Sequence, residues 1–225
     1  MTVKLIGITK PAESTGCETA NDLIAYTARV SNPTNQMNLE TAPKLLKYLI
    51  QHQHWSPFEC VSLTLEINTT RDIARQILRH RSFSFQEFSQ RYADPTQELG
   101  FALREARMQD PKNRQNSLPT TDFTLDDMWT IRQNKVLAQV REAYKWAIDN
   151  GIAKEQARAV LPEGLTQSRL YMAGTLRSWI HYCELRTANG TQLEHQEIAK
   201  DCWKIIAKEF PDVAEAVNIG DTHER

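Results

Sequence analysis

The sequence has few of the features that mark common cofactor, nucleophile and metal sites. Only eight of its 225 residues are glycine, and they form no G-x-G-x-x-G or Walker phosphate loop. It also contains no G-x-S-x-G turn, the signature of many serine hydrolases. Its four cysteines form no C-x-x-C pair, so neither a zinc ribbon nor a disulfide framework is predicted. Any bound phosphate must therefore be held by arginines.

Long apolar runs and an excess of charge are also missing. No stretch approaches the roughly 18 apolar residues of a membrane span, and the N-terminal segment has only a short apolar run before Lys10. The formal net charge of -1 argues against a protein whose main activity is neutralising nucleic-acid phosphates. We therefore expect no membrane and no nucleic-acid partner, and reduced thiols typical of the cytoplasm.

Apolar periodicity predicts a mixture of strands and helices. VKLIGIT, CVSLTLEINTT and FALREARMQ have the pattern of strands, and ETANDLIAYTARVS, LETAPKLLKYLIQHQ and TTRDIARQILRHR that of helices. LTQSRLYMAGTLRSWIHYCELR begins like a strand and continues as a helix. A long helix before Gly151, a short helix ended by Pro162 and a closing helix complete the pattern. Without a repeat or linker, one α+β domain over residues 1–225 is the simplest architecture.

The densest chemistry lies in RHRSFSFQEFSQRY, from Arg79 to Tyr92. The segment combines cations, three phenylalanines and the carboxylate of Glu87. Exposed phenylalanines are unfavourable in a surface loop, and unpaired cations are unfavourable in a core, unless a bound ligand contacts both. Arginine binds phosphate through a planar fork, and phenylalanine excludes water. The segment therefore predicts a phosphorylated heteroaromatic ligand, such as a nucleotide or a flavin dinucleotide. On the preceding helix, Arg71 and Arg75 are interpreted as a solvated face.

Two other functions fit parts of this pattern. A nucleic-acid-binding module would use the arginines on phosphates and Phe83, Phe85 and Phe88 for base stacking, but it does not account for the nearly neutral chain. A metal-dependent nucleotide hydrolase would use the histidines and Glu59. Because no histidine pair has the i, i+4 spacing of a strong metal motif, we predict no metal site.

Several ordered segments together resemble the flavin-dependent thymidylate synthases. Arg79-His80-Arg81, then seven residues, Ser89 and Arg91-Tyr92 are similar to the signature of that family. HQHWSPFE resembles its His-x-x-Pro-Phe-Glu segment, ARQILRHR its helix entry, QARAVLP its arginine helix, and RSWIHYCELR with QLEHQEIA its C-terminal part. The resemblance extends from about residue 52 to about residue 200.

This resemblance implies the fold of the thymidylate synthase-complementing proteins, an antiparallel or mixed sheet packed with long helices. It implies an enzyme that makes dTMP from dUMP, with a methylene group from 5,10-methylenetetrahydrofolate and a hydride from FAD that NADPH has reduced. No protein nucleophile attacks the pyrimidine in that family. Its members are homotetramers whose subunits share active sites.

Matched by position, the resemblance also implies two sets of binding residues. The set facing FAD is Ser56, Arg79, His80, Arg81, Glu87, Arg177 and His181. The set facing dUMP is Gln76, Arg79, Glu87, Ser89, Gln90, Arg91, Arg158 and Arg186. Arg91 and Arg158 suit the phosphate, and Arg186, the catalytic candidate, suits negative charge on the uracil ring. His54 and His80 are expected to contact the flavin or the folate.

The chain departs from the family pattern at several positions around the flavin. Gln86, Thr175 and His181 stand where asparagine is common, and Cys60 replaces a frequent histidine. Gly190 falls where a histidine often contacts the flavin. The resemblance therefore defines the arginines for dUMP more closely than the individual FAD contacts.

Overall fold

The structure is a computed structural model that describes residues 1–217 and residue 219. The chain forms two compact units. Unit 1 comprises Met1–Ile67, His80–Phe85 and the described residues from Tyr171 onward, and unit 2 comprises Asn68–Arg79 and Gln86–Leu170. The sequence neighbours Arg79 and His80 thus belong to different units. The single domain over residues 1–225 stays a prediction.

Strands and helices follow one another along the described chain. The strands are β1 (Thr2–Ile8), β2 (Ser62–Thr70), β3 (Ser84–Glu87), β4 (Arg107–Gln109), β5 (Ser117–Pro119) and β6 (Gln167–Thr175). The α-helices are α1 (Ala20–Ala28), α2 (Ala42–Gln51), α3 (Arg71–Ile77), α4 (Pro95–Glu98), α5 (Phe123–Asp149), α6 (Lys154–Ala157), α7 (Leu176–Thr187), α8 (Leu193–Glu209) and α9 (Pro211–Ala216). One sheet has the order β1-β2-β6-β3, and β4 pairs antiparallel with β5. The predicted α+β fold class is confirmed.

Unit 1 buries one apolar face of each of its longer helices. α1 begins at a capping box, in which Thr19 and Asp22 each accept a hydrogen bond from the backbone N–H of the other. α7 packs against α8, and α2 packs against α9. The fully buried side chains include Ile24, Leu46, Phe58, Leu63, Leu65, Trp179, Ile206 and Phe210. This core fixes the backbone of α7, which carries several predicted ligand-binding residues.

Unit 2 is organised around the long helix α5. Gly151 follows the end of this helix with a φ of 77°, a left-handed conformation that glycine adopts at low cost. One core cluster of this unit consists of Tyr144, Ala147, Ala157 and Leu161. It anchors α6 beside α5, and Arg158 comes directly after α6. Nowhere in residues 1–217 and 219 is a helix long and apolar enough to cross a membrane.

The main difference from the predicted elements lies in FALREARMQ. Only Arg107–Gln109 is a strand there, and Phe101 forms an isolated bridge with Thr166. The side chain of Gln133 accepts from the backbone N–H of Arg104 and donates to its carbonyl, both at 2.8 Å. The backbone groups of Arg104 are thus satisfied by a side chain instead of a neighbouring strand. The short elements β3, α4 and α9 are not among the predicted strands and helices.

Candidate active site

Helix α7 carries one cluster of predicted ligand-binding residues in unit 1. Arg177 donates from Nη1 to Oε1 of Glu59 at 2.8 Å, and its side chain remains 41% exposed. The exposed ring of His181 meets the ring of Trp55 edge-on, with centroids 4.8 Å apart. This part of α7 therefore presents a cation and an imidazole next to the HQHWSPFE segment.

The HQHWSPFE segment forms a compact turn with exposed rings. Ser56–Glu59 is a 3-10 helix whose Phe58 is fully buried, while Ser56 itself is exposed. Gln53 has a φ of 57°, which is uncommon outside glycine and is often retained at functional sites. The ring of His52 stacks on Tyr48 with centroids 3.9 Å apart. This segment thus presents aromatic surface on which a planar ring can stack.

The arginine-rich motif contributes His80 and Arg81 to unit 1. Nε of Arg186 donates a hydrogen bond to Nε2 of His80 at 2.8 Å. Because a guanidinium group can only donate, Nε2 of His80 must be unprotonated in this arrangement. Arg81 is exposed and has no carboxylate within ion-pair distance among the described residues. The structure therefore brings His80 and Arg186 together and leaves Arg81 open to an anion.

Two buried rings lie behind this hydrogen bond. The ring of Tyr182 is nearly perpendicular to that of His80, with centroids 4.9 Å apart. The Tyr182 hydroxyl is hydrogen-bonded to Nε2 of His195 at 3.1 Å. Burial, with a smaller contribution from the positive charge of Arg186, lowers the pKa of His195 from 6.5 to about 3. His195 is therefore neutral at physiological pH, and sequence reasoning assigned neither Tyr182 nor His195 to the site.

The three phenylalanines of the motif do not all line a ligand site. Phe83 is only 9% exposed and packs edge-on against Trp179, with centroids 4.8 Å apart. A Cβ atom at Gly174 would lie 2.5 Å from the Phe83 ring, so only glycine leaves room for it. Phe85 and Phe88 are half-buried. Phe83 is a core residue, which corrects the expectation that all three rings enclose a ligand or stack on bases.

In unit 2, the arginine face of α3 is solvated as predicted at Arg75 but not at Arg71. The side chain of Arg71 is 13% exposed and pairs with Glu87 at 3.3 Å and Glu163 at 3.6 Å. Arg75 is exposed and donates to Glu163 from both Nε and Nη2. The hydrogen bond from Arg75 lowers the pKa of Glu163, and Arg71 adds to the effect. A carboxylate far away in the sequence thus relieves the repulsion between these arginines.

Glu87, expected in both binding sets, is held at one of its two oxygens. Oε1 accepts from Nη1 of Arg71 at 3.3 Å and from the Ser168 hydroxyl at 2.7 Å. Oε2 accepts no hydrogen bond from any described residue, and the side chain is 21% exposed. Two donors therefore orient the carboxylate and leave its second oxygen available to accept from a ligand. Ser168 was missed because nothing in its local sequence connects it with Glu87.

The signature residues Ser89 and Arg91 line an open pocket in unit 2. The pocket walls are formed by Ser89, Arg91, Tyr92, Ala153, Lys154 and Glu155. Arg91 lies 3.4 Å from Glu155, and Nζ of Lys154 donates to the backbone carbonyl of Tyr92 at 2.9 Å. Arg158 follows within one turn and donates from Nε to the carbonyl of Glu155 at 3.3 Å. With more cations than carboxylates, this region suits a phosphate.

The remaining predicted residues of unit 2 differ in exposure. Gln76 is half-buried on α3, and Arg79 is exposed just after that helix. Gln90 is 4% exposed, and its Nε2 has no hydrogen-bond partner in the described structure. A buried donor without an acceptor costs about 1–3 kcal/mol. Nε2 of Gln90, which neighbours the pocket-lining Ser89 and Arg91 in sequence, is therefore a donor that a ligand with an acceptor would satisfy.

A metal centre has no support in the part of the chain that is described. Within residues 1–217 and 219, no three or more His, Cys, Asp or Glu side chains are grouped so that they could hold a metal ion. The histidines of HQH instead interact with Tyr48 and with each other. A ligand site built on arginines, a carboxylate and aromatic rings fits the geometry better.

Comparison with known proteins gives consistent results. The family model described as Thymidylate synthase complementing protein matches residues 14–212. A relative from Paramecium bursaria Chlorella virus 1, named a probable flavin-dependent thymidylate synthase, is 54% identical over 218 residues, covering 97% of this chain and 99% of the relative. A flavin-dependent thymidylate synthase from Synechocystis sp. is 50% identical over 219 residues, covering 96% and 99%.

A solved structure with a similar fold carries a nucleotide. The UMP/dUMP methylase PolB from Streptomyces cacaoi, bound with 5-Br UMP, gives a TM-score of 0.80 at 27% identity and covers 96% of this chain and 92% of that chain. Its structure bound with 5-Br dUMP gives a TM-score of 0.77 at 28% identity, covering 96% and 93%.

Proposed function

The chain belongs to the family of flavin-dependent thymidylate synthases, the thymidylate synthase complementing proteins, and from this premise we propose how it works. It converts dUMP to dTMP with a methylene group from 5,10-methylenetetrahydrofolate and a hydride from FAD that NADPH has reduced. No side chain of the protein forms a covalent bond with the pyrimidine.

The open cationic pocket of unit 2 is the observation that carries this proposal. Its Ser89 and Arg91 belong to the signature, and Lys154 and the adjacent Arg158 add positive charge. A guanidinium fork binds a phosphate through two hydrogen bonds, so Arg91 and Arg158 hold the dUMP phosphate. The related PolB structures contain brominated dUMP and UMP, which supports a pyrimidine nucleotide as the ligand.

The other dUMP-binding residues supply acceptors and donors for the nucleoside. We assign dUMP to Gln76, Arg79, Glu87, Ser89, Gln90, Arg91, Arg158 and Arg186. Oε2 of Glu87 is available as an acceptor, and Nε2 of Gln90 is a buried donor without a partner among the described residues. A ligand that satisfies both groups removes the cost of leaving them unpaired.

Arg186 stabilises negative charge on the uracil ring and so makes its C5 atom a better nucleophile. The hydrogen bond of Nε to His80 fixes the guanidinium before the substrate arrives. A donor that is already oriented toward developing charge lowers the barrier without reorganisation at the moment of reaction. This electrostatic role makes a covalent enzyme nucleophile unnecessary.

The residues assigned to FAD have the chemistry that a flavin dinucleotide requires. They are Ser56, Arg79, His80, Arg81, Glu87, Arg177 and His181. Among the described residues, Arg81 is exposed and has no carboxylate partner, and Arg177 pairs with Glu59. These cations suit the pyrophosphate, and the exposed imidazoles of His181 and His54 suit the ring systems of the flavin or the folate.

The thiols and the signature hydroxyl support catalysis without a protein nucleophile. Burial raises the pKa of the Cys183 and Cys202 thiols well above the usual value. Cys60 is exposed, and its thiol donates to the Ser56 carbonyl. Ser89 has no described base bonded to its hydroxyl, which accepts only from the backbone N–H of Arg91. Because all four cysteines are free, we place the enzyme in the reducing cytoplasm.

A homotetramer is supported by apolar surface on α5. Its exposed large side chains include Leu125, Met128, Trp129, Val136 and Trp146, the last of which is 61% exposed. These residues recur near the helical period, so they form one stripe that a neighbouring subunit would cover. Sedimentation is expected to show a tetramer, and a monomer that binds FAD stoichiometrically would contradict this assembly.

The visible spectrum of the purified protein tests the cofactor assignment directly. We expect flavin absorption bands, with FAD released on denaturation in a ratio near one per chain. The matched variant Arg81→Gln removes a cation but keeps much of the side-chain length, and should purify with less FAD. A colourless native protein that does not take up added FAD would contradict the proposal.

A further inference from the structure

His80 can hold Arg186 in place only if its own ring is fixed. The hydrogen bond joins Nε of Arg186 on α7 to Nε2 of His80 in the preceding arginine-rich motif at 2.8 Å. An imidazole that rotates about its side-chain bonds would swing Nε2 away from this donor. Arg186 is half-buried, so its orientation depends on its few partners more than that of an exposed arginine would.

Tyr182 provides a wall against which the His80 ring packs. Tyr182 and Arg186 are one helical turn apart on α7, so they lie on the same face of the helix. Tyr182 is 1% exposed, and its ring contacts that of His80 at nearly a right angle, with centroids 4.9 Å apart. The same α7 face therefore supplies the donor to His80 and the surface that orients it.

His195 in turn fixes Tyr182 from helix α8. It is fully buried, and its Nε2 lies 3.1 Å from the Tyr182 hydroxyl. The His195 and His80 rings are also perpendicular, with centroids 6.4 Å apart. A buried polar pair that satisfies its own hydrogen bond has one preferred geometry, whereas an apolar pair of similar size can repack more freely.

We propose that Tyr182 and His195 are positioning residues that orient Arg186 through His80. The proposal deepens the function inferred above, because it rests on that function for the role of Arg186 toward dUMP. Neither residue touches the substrate. Their removal should leave the guanidinium present but less well aimed, which lowers turnover more than dUMP binding.

The first test measures the orientation of Arg186 without cofactor or turnover. Flavin-free protein is treated with phenylglyoxal, and the modification rates of Arg186 and Arg177 are followed by peptide mass spectrometry. Tyr182→Phe removes only the hydroxyl, and His195→Leu removes the polar partner. We expect each change to speed modification of Arg186 by about threefold to tenfold, as the loss of one hydrogen bond implies, and to leave Arg177 unchanged.

The second test compares turnover with binding in the FAD-loaded enzyme. Tyr182→Phe and His195→Leu should each lower kcat for dTMP formation by about threefold to tenfold, with the KM for dUMP changed by less than about twofold. The double variant should lose no more than the worse single variant, because both changes break one hydrogen bond. His195→Gln, which retains a hydrogen-bonding group, should restore much of both readouts.

Controls separate positioning from general loss of stability. Ile206→Val removes one methyl group from the buried face of the same helix, α8, and should change neither the Arg186 modification rate nor kcat. If His195→Leu does not fold, Tyr182→Phe decides the question, because it deletes a single oxygen atom. If the native enzyme forms no dTMP, the proposed function is wrong. The modification test would still show whether Tyr182 and His195 orient Arg186.

The proposal is overturned if Arg186 is modified at the native rate in a folded Tyr182→Phe protein. Equal acceleration at Arg186 and Arg177 would also overturn it, since that result means general loosening of α7. The proposal is also overturned if Ile206→Val changes the Arg186 modification rate and kcat as much as Tyr182→Phe or His195→Leu does. It is overturned as well if His195→Gln restores neither the modification rate nor kcat.

Discussion

The two units hold their proposed ligand-binding residues by different means. The ring-supported group of unit 1 consists of His80, Tyr182, Arg186 and His195. The carboxylate-supported group of unit 2 consists of Arg71, Glu87, Glu163 and Ser168. In the first group, neutral buried rings stand behind one cation. In the second, charged partners remain partly exposed, from 13% for Arg71 to 45% for Glu163.

This difference matches the tasks that we assign to the two groups. Water cannot screen or replace the contacts of buried rings, which suits the proposed role of holding Arg186 in one orientation toward the uracil ring. Partly exposed ion pairs are weaker and sensitive to salt. In the proposed function, such pairs would let Glu87 adjust to dUMP on binding. The comparison therefore predicts losses of turnover from changes in unit 1 and losses of affinity from changes in unit 2.

Arg186→Lys should have the largest effect on turnover. Lysine keeps the charge but lacks the planar fork and the Nε–H that donates to His80. Loss of a preorganised donor to developing charge typically lowers kcat by about 100-fold to 1,000-fold. We expect dUMP binding, measured by calorimetry, to weaken much less than kcat. Equal losses in affinity and kcat would show that Arg186 only binds the substrate.

The next largest effect should be on the pH dependence of the free energy of unfolding, which reports on the buried ring of His195. The pKa of His195 is about 3 in the folded state, against 6.5 for an unperturbed histidine, so between these values the unfolded chain binds more protons. Its contribution to the free energy of unfolding is therefore complete above pH 6.5 and declines as the pH falls toward 3. The decline by about pH 4.5 amounts to about 2–3 kcal/mol.

His195→Gln, which does not titrate, isolates this contribution. Denaturant unfolding of both proteins at one protein concentration should give a shallower pH dependence for the variant between pH 6.5 and about pH 4.5. Parallel curves for the two proteins would mean that His195 is not held neutral by its surroundings.

Ser168→Ala probes the carboxylate-supported group with a smaller effect. It removes the 2.7 Å hydrogen bond to Oε1 of Glu87 and leaves Arg71 in place. A hydrogen bond to a charged group contributes about 1.5–3 kcal/mol, and part exposure of Glu87 favours the lower end. Calorimetry should show weaker dUMP binding, while kcat at saturating dUMP stays near the native value. A selective loss of kcat would contradict the prediction that changes in unit 2 lower affinity and not turnover.

Ser89→Ala should have the smallest effect of this series. The Ser89 side chain lines the open pocket and has no described base bonded to it, so we expect it only to position dUMP. Loss of one neutral hydrogen bond costs about 0.5–1.5 kcal/mol, which is roughly threefold to tenfold in affinity. The variant should still form dTMP. No product from a folded, flavin-loaded Ser89→Ala enzyme would mean that the hydroxyl takes part in bond making.

The same comparison shows which parts of the site can be predicted from sequence. The short helix before Arg158 follows from local sequence pattern, and the proposed roles of Ser89 and Arg91 follow from the resemblance of their segment to the family signature. The pairing of Arg71 with Glu163 cannot be inferred from spacing on α3, since its partner lies far along the chain. The sequence therefore suggested a solvated face for both Arg71 and Arg75, whereas Arg71 is only 13% exposed and pairs with Glu87 and Glu163.

Buried polar contacts between helices could not be predicted from the sequence either. Tyr182 and His195 are ordinary positions of two amphipathic helices, and only tertiary packing brings the hydroxyl to the imidazole. Phe83 was assigned to a ligand wall because its neighbours are cationic, but the space above Gly174 admits its ring to the core. Periodicity predicted most strands and helices, whereas the partners across the fold required the structure.

The most direct test of the account is dTMP formation by the purified chain with dUMP, 5,10-methylenetetrahydrofolate and NADPH, with and without FAD. We predict turnover that requires FAD and survives in Ser89→Ala, and turnover reduced about 100-fold or more in Arg186→Lys. Product formation by flavin-free protein, or a fully active Arg186→Lys enzyme, would contradict the central claim that an oriented arginine and a flavin replace a covalent nucleophile.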